Sequence, residues 1–499
     1  MQKIIFFILF FIISVYAQNR KFPQSIDYPH CIKPDHITQE QMNSDVYQTY
    51  LYWKAKYLKA AGSTPNGYYI EADTVTGGTG ETVTCSEAHG FGMVIFALMA
   101  GDQNSGDKDA QSIFDGMFYF FKDHPCEVSD ALMTWEVLSD GAGGETQQTS
   151  STATDGDLDM AYALLLAHYQ WGSDGDIDYL EEAKSMIENG LLKYDVSPIS
   201  KRTLLGSWDE YSEYQSRPSD WMTGHFQAFY TATDNSVWLD VKNEVYRMAT
   251  SFINKYSPET YLISDFVVKK EVEPAPEYFL DEHKETDEYH SNACRVPMRI
   301  TCDYLHYKNE KSKEWMHNLL LWLKERTDNK PDSIVAGYFL KGGEIRQDRF
   351  LAFTAPFITA CIVDTAHQEY LNKGWDLITD WNSGYYNDII KLLCMLAISG
   401  NWWPPEDIIT PVEKCIKKEN CISMVFNKNG KIYLNISAIK GPATVSIYNC
   451  SGKELVTTTV RGSSSVIPIH KYLAANGVFV LKIDSVNGMR ISEKISLFK

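Results

Sequence analysis

Ser86-Glu87-Ala88-His89-Gly90-Phe91-Gly92-Met93 opens an apolar run that continues to Ala100. The stretch puts one carboxylic acid on the first turn of an otherwise apolar helix, with two glycines close behind. Ser86 is suited to cap that helix, its hydroxyl accepting from a first-turn N–H. Glycine costs helix stability, so Gly90 and Gly92 imply the close approach of a ligand or of another backbone.

Outward from this helix, apolar residues recur at spacings of three and four in about a dozen segments. They fall near 38–61, 86–100, 109–123, 155–171, 177–192, 219–232, 236–255, 291–308, 311–328, 354–362, 365–381 and 384–399. So many helices in one domain suggest paired helices wrapped into a toroid. No repeat of fixed period runs through the sequence, which weighs against a solenoid. After Trp402-Trp403-Pro404-Pro405 the pattern changes. From Lys431 it alternates and is rich in Ile, Val and Thr, with Asn429-Gly430, Ser451-Gly452, Asn476-Gly477 and Asn487-Gly488 as turns. Six short strands are expected there, at 431–437, 443–449, 454–460, 465–469, 478–484 and 490–498. The expectation is a mostly helical domain over 18–412 and a small all-β sandwich over 413–499. The tail contains no Trp, which weakens a sugar-binding role for it.

Residues 1–17 read as a secretory leader: Lys3, an apolar core from Ile4 to Val15, and Val15-Tyr16-Ala17 before Gln18. The apolar run is short for a membrane anchor. A secreted protein is therefore expected, free in the medium or held at the cell surface. The formal charge is −19 over 499 residues. Residues 422–499 hold ten Lys/Arg and three Asp/Glu, a net of +7, which leaves −27 on residues 18–421 once Lys3 is removed with the leader. An acidic body argues against nucleic acid and anionic lipid as partners and suits a polycationic substrate, although acidity also serves solubility alone. Ten cysteines in this length are not a disulfide scaffold. Cys294, Cys302, Cys361 and Cys394 lie in apolar helical patterns and read as buried thiols. Cys415 and Cys421 could pair across a short loop. There is no CxxC pair and no HExxH, so no metal site is expected from motif spacing.

Three acidic places carry the chemistry. Glu87 is the candidate general acid: its apolar surroundings would raise its pKa, while the helix N-terminus would favour the anion. A plain first-turn Glu that steadies the helix dipole is an equal alternative. Asp155, Asp157 and Asp159 head a second apolar helix, where acidic residues are common for dipole reasons. Glu273 to Glu282 form a Pro-rich acidic loop, yet Tyr278, Phe279 and Leu280 within it call for burial. That combination suggests a loop folded over a cleft, able to hold a carboxylate above a substrate. Carboxyls at separate helix starts with Trp and Tyr between them suit hydrolysis of a sugar bond.

At these places the chain resembles glycoside hydrolase family 8. Glu87 in Ser-Glu-Ala-His-Gly-Phe-Gly-Met matches the family's general acid, and Asp155 in Ala-Thr-Asp-Gly-Asp-Leu-Asp-Met matches the aspartate that positions and distorts the sugar. Arg295 in Asn292-Ala293-Cys294-Arg295-Val296-Pro297 matches the family arginine. Trp135 in Leu-Met-Thr-Trp looks like a stacking tryptophan. Arg217-Pro218-Ser219-Asp220-Trp221-Met222 and Gly384-Tyr385-Tyr386-Asn387-Asp388 fit the same pattern and put Trp221 and Tyr385 among the expected substrate-binding residues. Many members carry Asp, their base, where this chain has Asn292, and an amide cannot take the proton. A chitosanase and chitosanase-glucanase subgroup has Asn there and draws its base from a Glu in an inserted loop. Glu282 matches that Glu, with Asp281 and Glu285 as substitutes. The resemblance implies an all-α (α/α)6 barrel, inversion of the anomeric centre and no cofactor. It gives an endo-β-1,4-glycosidase acting on chitosan, with mixed-linkage β-glucan or cellulose as the alternative. A non-catalytic polysaccharide-binding protein is the rival from another class. The tail, with Leu473-Ala474-Ala475-Asn476-Gly477-Val478-Phe479-Val480-Leu481-Lys482, resembles C-terminal sorting domains of type IX secretion, which implies a secretion machinery as partner.

Overall fold

The structure is a computed structural model. It describes residues 19–72, 82–147, 151–208 and 213–406, and beyond them 424–428, 431–435, 443–449, 453–460, 466–468, 477–485 and 490–497. The expected leader and the Cys415/Cys421 pair lie outside the described residues. The chain separates into two compact units, Met1–Pro405 and Glu406–Lys499.

The first unit is built from helices α1 (Gln39–Tyr57), α2 (Ser86–Met99), α3 (Ala110–Asp123) and α4 (Thr154–Trp171). There follow α5 (Tyr179–Ser185), continued through a π-helical turn, Met186–Leu191, into α6 (Leu192–Tyr194). Next come α7 (Thr223–Thr233), α8 (Val237–Tyr256), α9 (Val296–Tyr307) and α10 (Glu310–Arg326). The last are α11 (Leu351–Ala360), α12 (Gln368–Thr379) and α13 (Gly384–Ile398).

Burial sorts these helices into two layers. In α2, α4, α9, α11 and α13 nearly every residue is buried, and α7 is buried along most of its length. A helix apolar on all sides needs neighbours on all sides. These six contact one another in the closed order α2, α4, α7, α9, α11, α13 and back to α2. Helices α1, α3, α5, α8, α10 and α12 bury one face each and pack outside the ring. The result is the toroid of paired helices that the periodicity predicted.

The two glycines of the opening stretch are answered by backbone. A Cβ on Gly90 would lie 2.8 Å from the Gly156 carbonyl oxygen, and one on Gly156 would lie 2.4 Å from the Ser86 carbonyl carbon. The two inner helices α2 and α4 therefore cross nearly in backbone contact, which aligns their acidic first turns. The capping expectation for Ser86 is corrected. The chain enters α2 from a strand, Thr82–Cys85, so Cys85 is the N-cap and Ser86 the first helical residue, its hydroxyl buried without a hydrogen-bond partner. That strand joins Glu136–Ser139 and Glu145–Gln147 in an antiparallel sheet absent from the sequence reading. Cys294, Cys302, Cys361 and Cys394 are buried free thiols, as expected. Among the described residues no helix is long and apolar enough to cross a membrane.

The second unit contains seven described strands in two antiparallel sheets. One has three strands, with Lys431–Asn435 between Met424–Lys428 and Val466–Pro468. The other has four, in the order Glu454–Val460, Ala443–Asn449, Gly477–Ser485, Arg490–Leu497. Met424–Lys428 is a strand the sequence reading left out; the rest were expected to within two residues at each end.

Candidate active site

The N-terminal ends of the inner helices open onto one cavity of about 430 Å³. Glu87 reaches it from α2, Asp155 from α4, Arg295 from the residue before α9 and Tyr385 from the first turn of α13. The loop before α9 adds Asp281, Glu282 and Asn292, and Trp135 and Trp208 supply indole surface.

At the floor one guanidinium bridges two carboxyls. Arg295 Nη1 donates to Glu87 Oε2 and, at 2.8 Å, to Asp155 Oδ2. Its Nη2 donates to Ser219 Oγ and to Asn292 Oδ1, both at 3.0 Å. Arg217 pairs with Asp155 Oδ1 at 2.9 Å and donates from Nε to Asp220 Oδ1 at 3.1 Å. Asp155 thus faces two guanidiniums and Glu87 one. Burial would raise the Asp155 pKa, but Arg217 and Arg295 outweigh it and hold the carboxyl well below the usual range. At Glu87 burial wins: it raises the pKa to about 7, against Arg295 and helped by the neighbouring Asp155 charge. Two carboxyls side by side therefore differ in protonation near neutrality. Below about pH 7 Glu87 keeps its proton while Asp155 does not, the split an acid-catalysed bond cleavage needs.

Glu282 stands apart from this pair. Asn292 links them: its Oδ1 accepts from Arg295, and its Nδ2 donates to Glu282 Oε2 at 2.9 Å. Burial raises the Glu282 pKa, opposed by Arg217. The loop holding Glu282 is locally strained. Tyr278, Leu280 and Asp281 have φ of 57°, 60° and 57°, a region L-residues avoid. Leu280 and Asp281 line the cavity, and Tyr278 is 58% exposed. Asp265, fully buried, anchors the far end of the loop by accepting from the backbone N–H groups of His290, Asn292 and Ala293.

Of the expected site residues, Glu87, Asp155, Glu282, Asn292, Arg295, Trp135 and Tyr385 converge on the cavity. Trp221 does not. It is fully buried, its indole N–H donates to Ser216 Oγ at 2.9 Å, and it belongs to the core beneath α7. Of the substitutes for Glu282, Asp281 lines the cavity and Glu285 is not among its lining residues. The sequence reading did not single out Arg217, Tyr386 or Trp208. Arg217 and Tyr386 sat inside stretches already marked, and Trp208 is a tryptophan left 40% exposed at the rim.

Comparison with known proteins places this geometry. The model of the glycosyl hydrolases family 8 matches residues 41–400. An endoglucanase of Bacillus sp. (strain KSM-330) is 42% identical over 394 residues, 79% of this chain and 83% of that protein. A beta-glucanase of Niallia circulans is 37% identical over 393 residues, 78% of this chain and 92% of that protein. The apo structure of a beta-1,3-1,4-glucanase from Paenibacillus sp. X4 is 36% identical, covers 78% of this chain and 100% of its own, and superposes with a TM-score of 0.72.

Proposed function

The chain belongs to the glycosyl hydrolases family 8 and is a glycoside hydrolase, and from that premise we propose an inverting endo-β-glucanase that cleaves mixed-linkage β-1,3-1,4-glucan. The observation that carries the reading is the divided protonation at the cavity floor. Glu87, raised to about 7, holds its proton below that pH beside the ionised Asp155, and Glu282 lies beyond Asn292 from both. Glu87 delivers its proton to the leaving oxygen. Glu282 takes the proton of the attacking water from the opposite face of the sugar ring. Asn292 holds Glu282 and has no basic atom to take that proton itself. Asp155, fixed by two arginines, accepts from sugar hydroxyls and sets the ring for cleavage. A guanidinium and an amide lie between the two catalytic carboxyls. Inversion needs a separation of about 6.5–9.5 Å, room for one water.

The substrate reading departs from the first expectation of chitosan. The relatives carry glucanase names, and the charge around the cavity supports the same choice. Four carboxyls, Glu87, Asp155, Asp281 and Glu282, share the cavity with the guanidiniums of Arg217 and Arg295. With Glu87 protonated, little net charge is left to attract a polycation; the acidity of the body lies elsewhere. Reducing-sugar release from lichenan, carboxymethylcellulose and chitosan at equal mass tests this. Release from lichenan should lead, and equal or faster release from chitosan overturns the choice.

The β-rich tail is read as a sorting domain for export of a secreted enzyme, supported by its sequence pattern and its separation from the helical unit. Removing residues 422–499 should leave hydrolysis of soluble glucan intact and stop export.

A further inference from the structure

Behind the base-bearing loop, Asp265, His283 and His290 come together from separated positions in the chain. One ligand atom from each lies within 4.8 Å of the others. Nε2 of His283 is 3.1 Å from Oδ2 of Asp265. That nitrogen is buried, yet it makes no hydrogen bond. Two ligands of a tetrahedral zinc ion, each about 2.0–2.1 Å from the metal, sit roughly 3.3 Å apart, close to this spacing.

The surroundings fit a ligand set. The Asp265 carboxylate is fixed by three backbone N–H groups at 2.6–3.0 Å, the kind of outer support that orients a metal-bound carboxylate. The other ring nitrogen of His283, Nδ1, faces Glu282 at 3.8 Å from its Oε2, beyond hydrogen-bond length but on the side where an outer-shell acceptor would stand. On the open side both histidines line a second cavity of about 340 Å³, with Ser291, Phe350 and Tyr386, where water has room to complete the shell.

We propose that Asp265, His283 and His290 bind one divalent cation of the zinc type, with water as the fourth ligand. Two imidazoles and one carboxylate suit zinc and its transition-metal neighbours, not calcium or magnesium, which take oxygen shells. The cation would tie the loop just after Glu282 to the buried Asp265 and direct the His283 Nδ1 proton toward Glu282. The site stands on its own three residues; only its effect on turnover rests on Glu282 being the base. The rival is a simple packed pair, since the two imidazoles face each other at 4.1 Å between centroids, tilted by 34°.

The full chain, stripped with chelator, is titrated with zinc chloride by calorimetry, and separately loaded with Co²⁺. One equivalent of zinc should bind, and Co²⁺ should give the intense visible bands of a tetrahedral site. His283→Ala and His290→Ala should each weaken zinc binding by more than about tenfold, the scale at which even an outer partner is felt, with unchanged circular dichroism. Asp265→Asn is avoided because Asp265 also holds three backbone groups. Absence of stoichiometric zinc uptake, a weak octahedral Co²⁺ spectrum, or full-strength binding in both histidine variants each overturns the site. The last result would place zinc elsewhere, for instance at His317 and His367, whose ring nitrogens are 3.1 Å apart. Glu282→Ala keeps the two readings separate. Retained turnover there removes the base assignment, while zinc uptake by that variant still reports on the site.

Discussion

The acid and the base proposed for this enzyme stand on different kinds of ground. Glu87 rises from the first turn of α2, where contact between the α2 and α4 backbones at Gly90 and Gly156 leaves no room to shift. Glu282 hangs from a loop with three left-handed L-residues in the four positions before it. The difference teaches a division of labour. A proton must be held on Glu87 by a fixed balance of burial against Arg295, which only a rigid floor preserves. The base has to admit water and a sugar chain beneath it, and a loop can do that. Left-handed backbone at three such residues costs on the order of 1–2 kcal/mol each, and the stretch is tied down by Thr286, whose hydroxyl accepts from the Phe279 N–H at 3.0 Å and donates to the Pro276 carbonyl at 2.8 Å.

The largest effect should come from the rigid side. Glu87→Gln removes the transferable proton with little change of shape, so kcat on lichenan should fall by about 10²–10⁴-fold while circular dichroism is unchanged. A variant with near wild-type turnover would break the comparison at its rigid end. Asn292→Ala frees Glu282 without removing it. Turnover should fall by roughly tenfold, less than for loss of a general acid, with KM little changed. If it falls as far as in Glu87→Gln, the amide does more than hold the base.

The pH profile sharpens the contrast. As the proposed acid Glu87 must be protonated to act, and its pKa is raised to about 7. Activity supported by that proton is present below this value and is lost as pH rises through it, so kcat/KM should show an alkaline limb near 7. Glu87→Gln should abolish that limb in whatever activity remains. A smaller effect is expected at Tyr278, whose side chain points to solvent. Tyr278→Gly removes one left-handed L-residue and should raise stability by up to about 1 kcal/mol, seen as a Tm increase of roughly 1 °C in a unit this large. A fall in Tm would mean that the tyrosine side chain, and not its backbone, matters there.

The last effect concerns the layer under the floor. Asp195 is buried, accepts from Thr152 at 2.9 Å, and burial raises its pKa to about 7. The folded state binds its proton more tightly than the unfolded chain. The resulting stability is full below the ordinary aspartate value and is lost as pH rises through about 7. Tm should therefore decline from pH 5 to 8, and Asp195→Asn should flatten that decline by a few degrees. An unchanged slope means another group sets it.

Most helices were legible because an inner helix is apolar all round and an outer one is amphipathic, signals that survive without tertiary context. The acidic first turns were legible for the same reason, since a charge at the head of an apolar helix has few places to go. What escaped depended on distant partners. Ser86 looked like a cap until a three-stranded sheet delivered Cys85 to that position. Trp221 lies in a stretch rich in site residues, yet its indole N–H turns back to Ser216 and its ring fills the core. Arg217 matters through ion pairs with Asp155 and Asp220, and the first of these spans 62 positions of sequence that no local pattern connects. Asp265 gave one unused hint: a lone acid within Leu262-Ile263-Ser264-Asp265-Phe266-Val267-Val268, where burial demands partners.

The central claim is that a loop glutamate, not Asn292, activates water opposite Glu87. Glu282→Ala assayed on lichenan with and without sodium azide tests it most directly, with the first product read by NMR. Without azide, turnover should be lost. With azide, which needs no base, cleavage should return and yield a glycosyl azide of α configuration from the β-linked substrate. Wild-type turnover in the absence of azide, or rescue that gives the β-configured azide, would contradict the account.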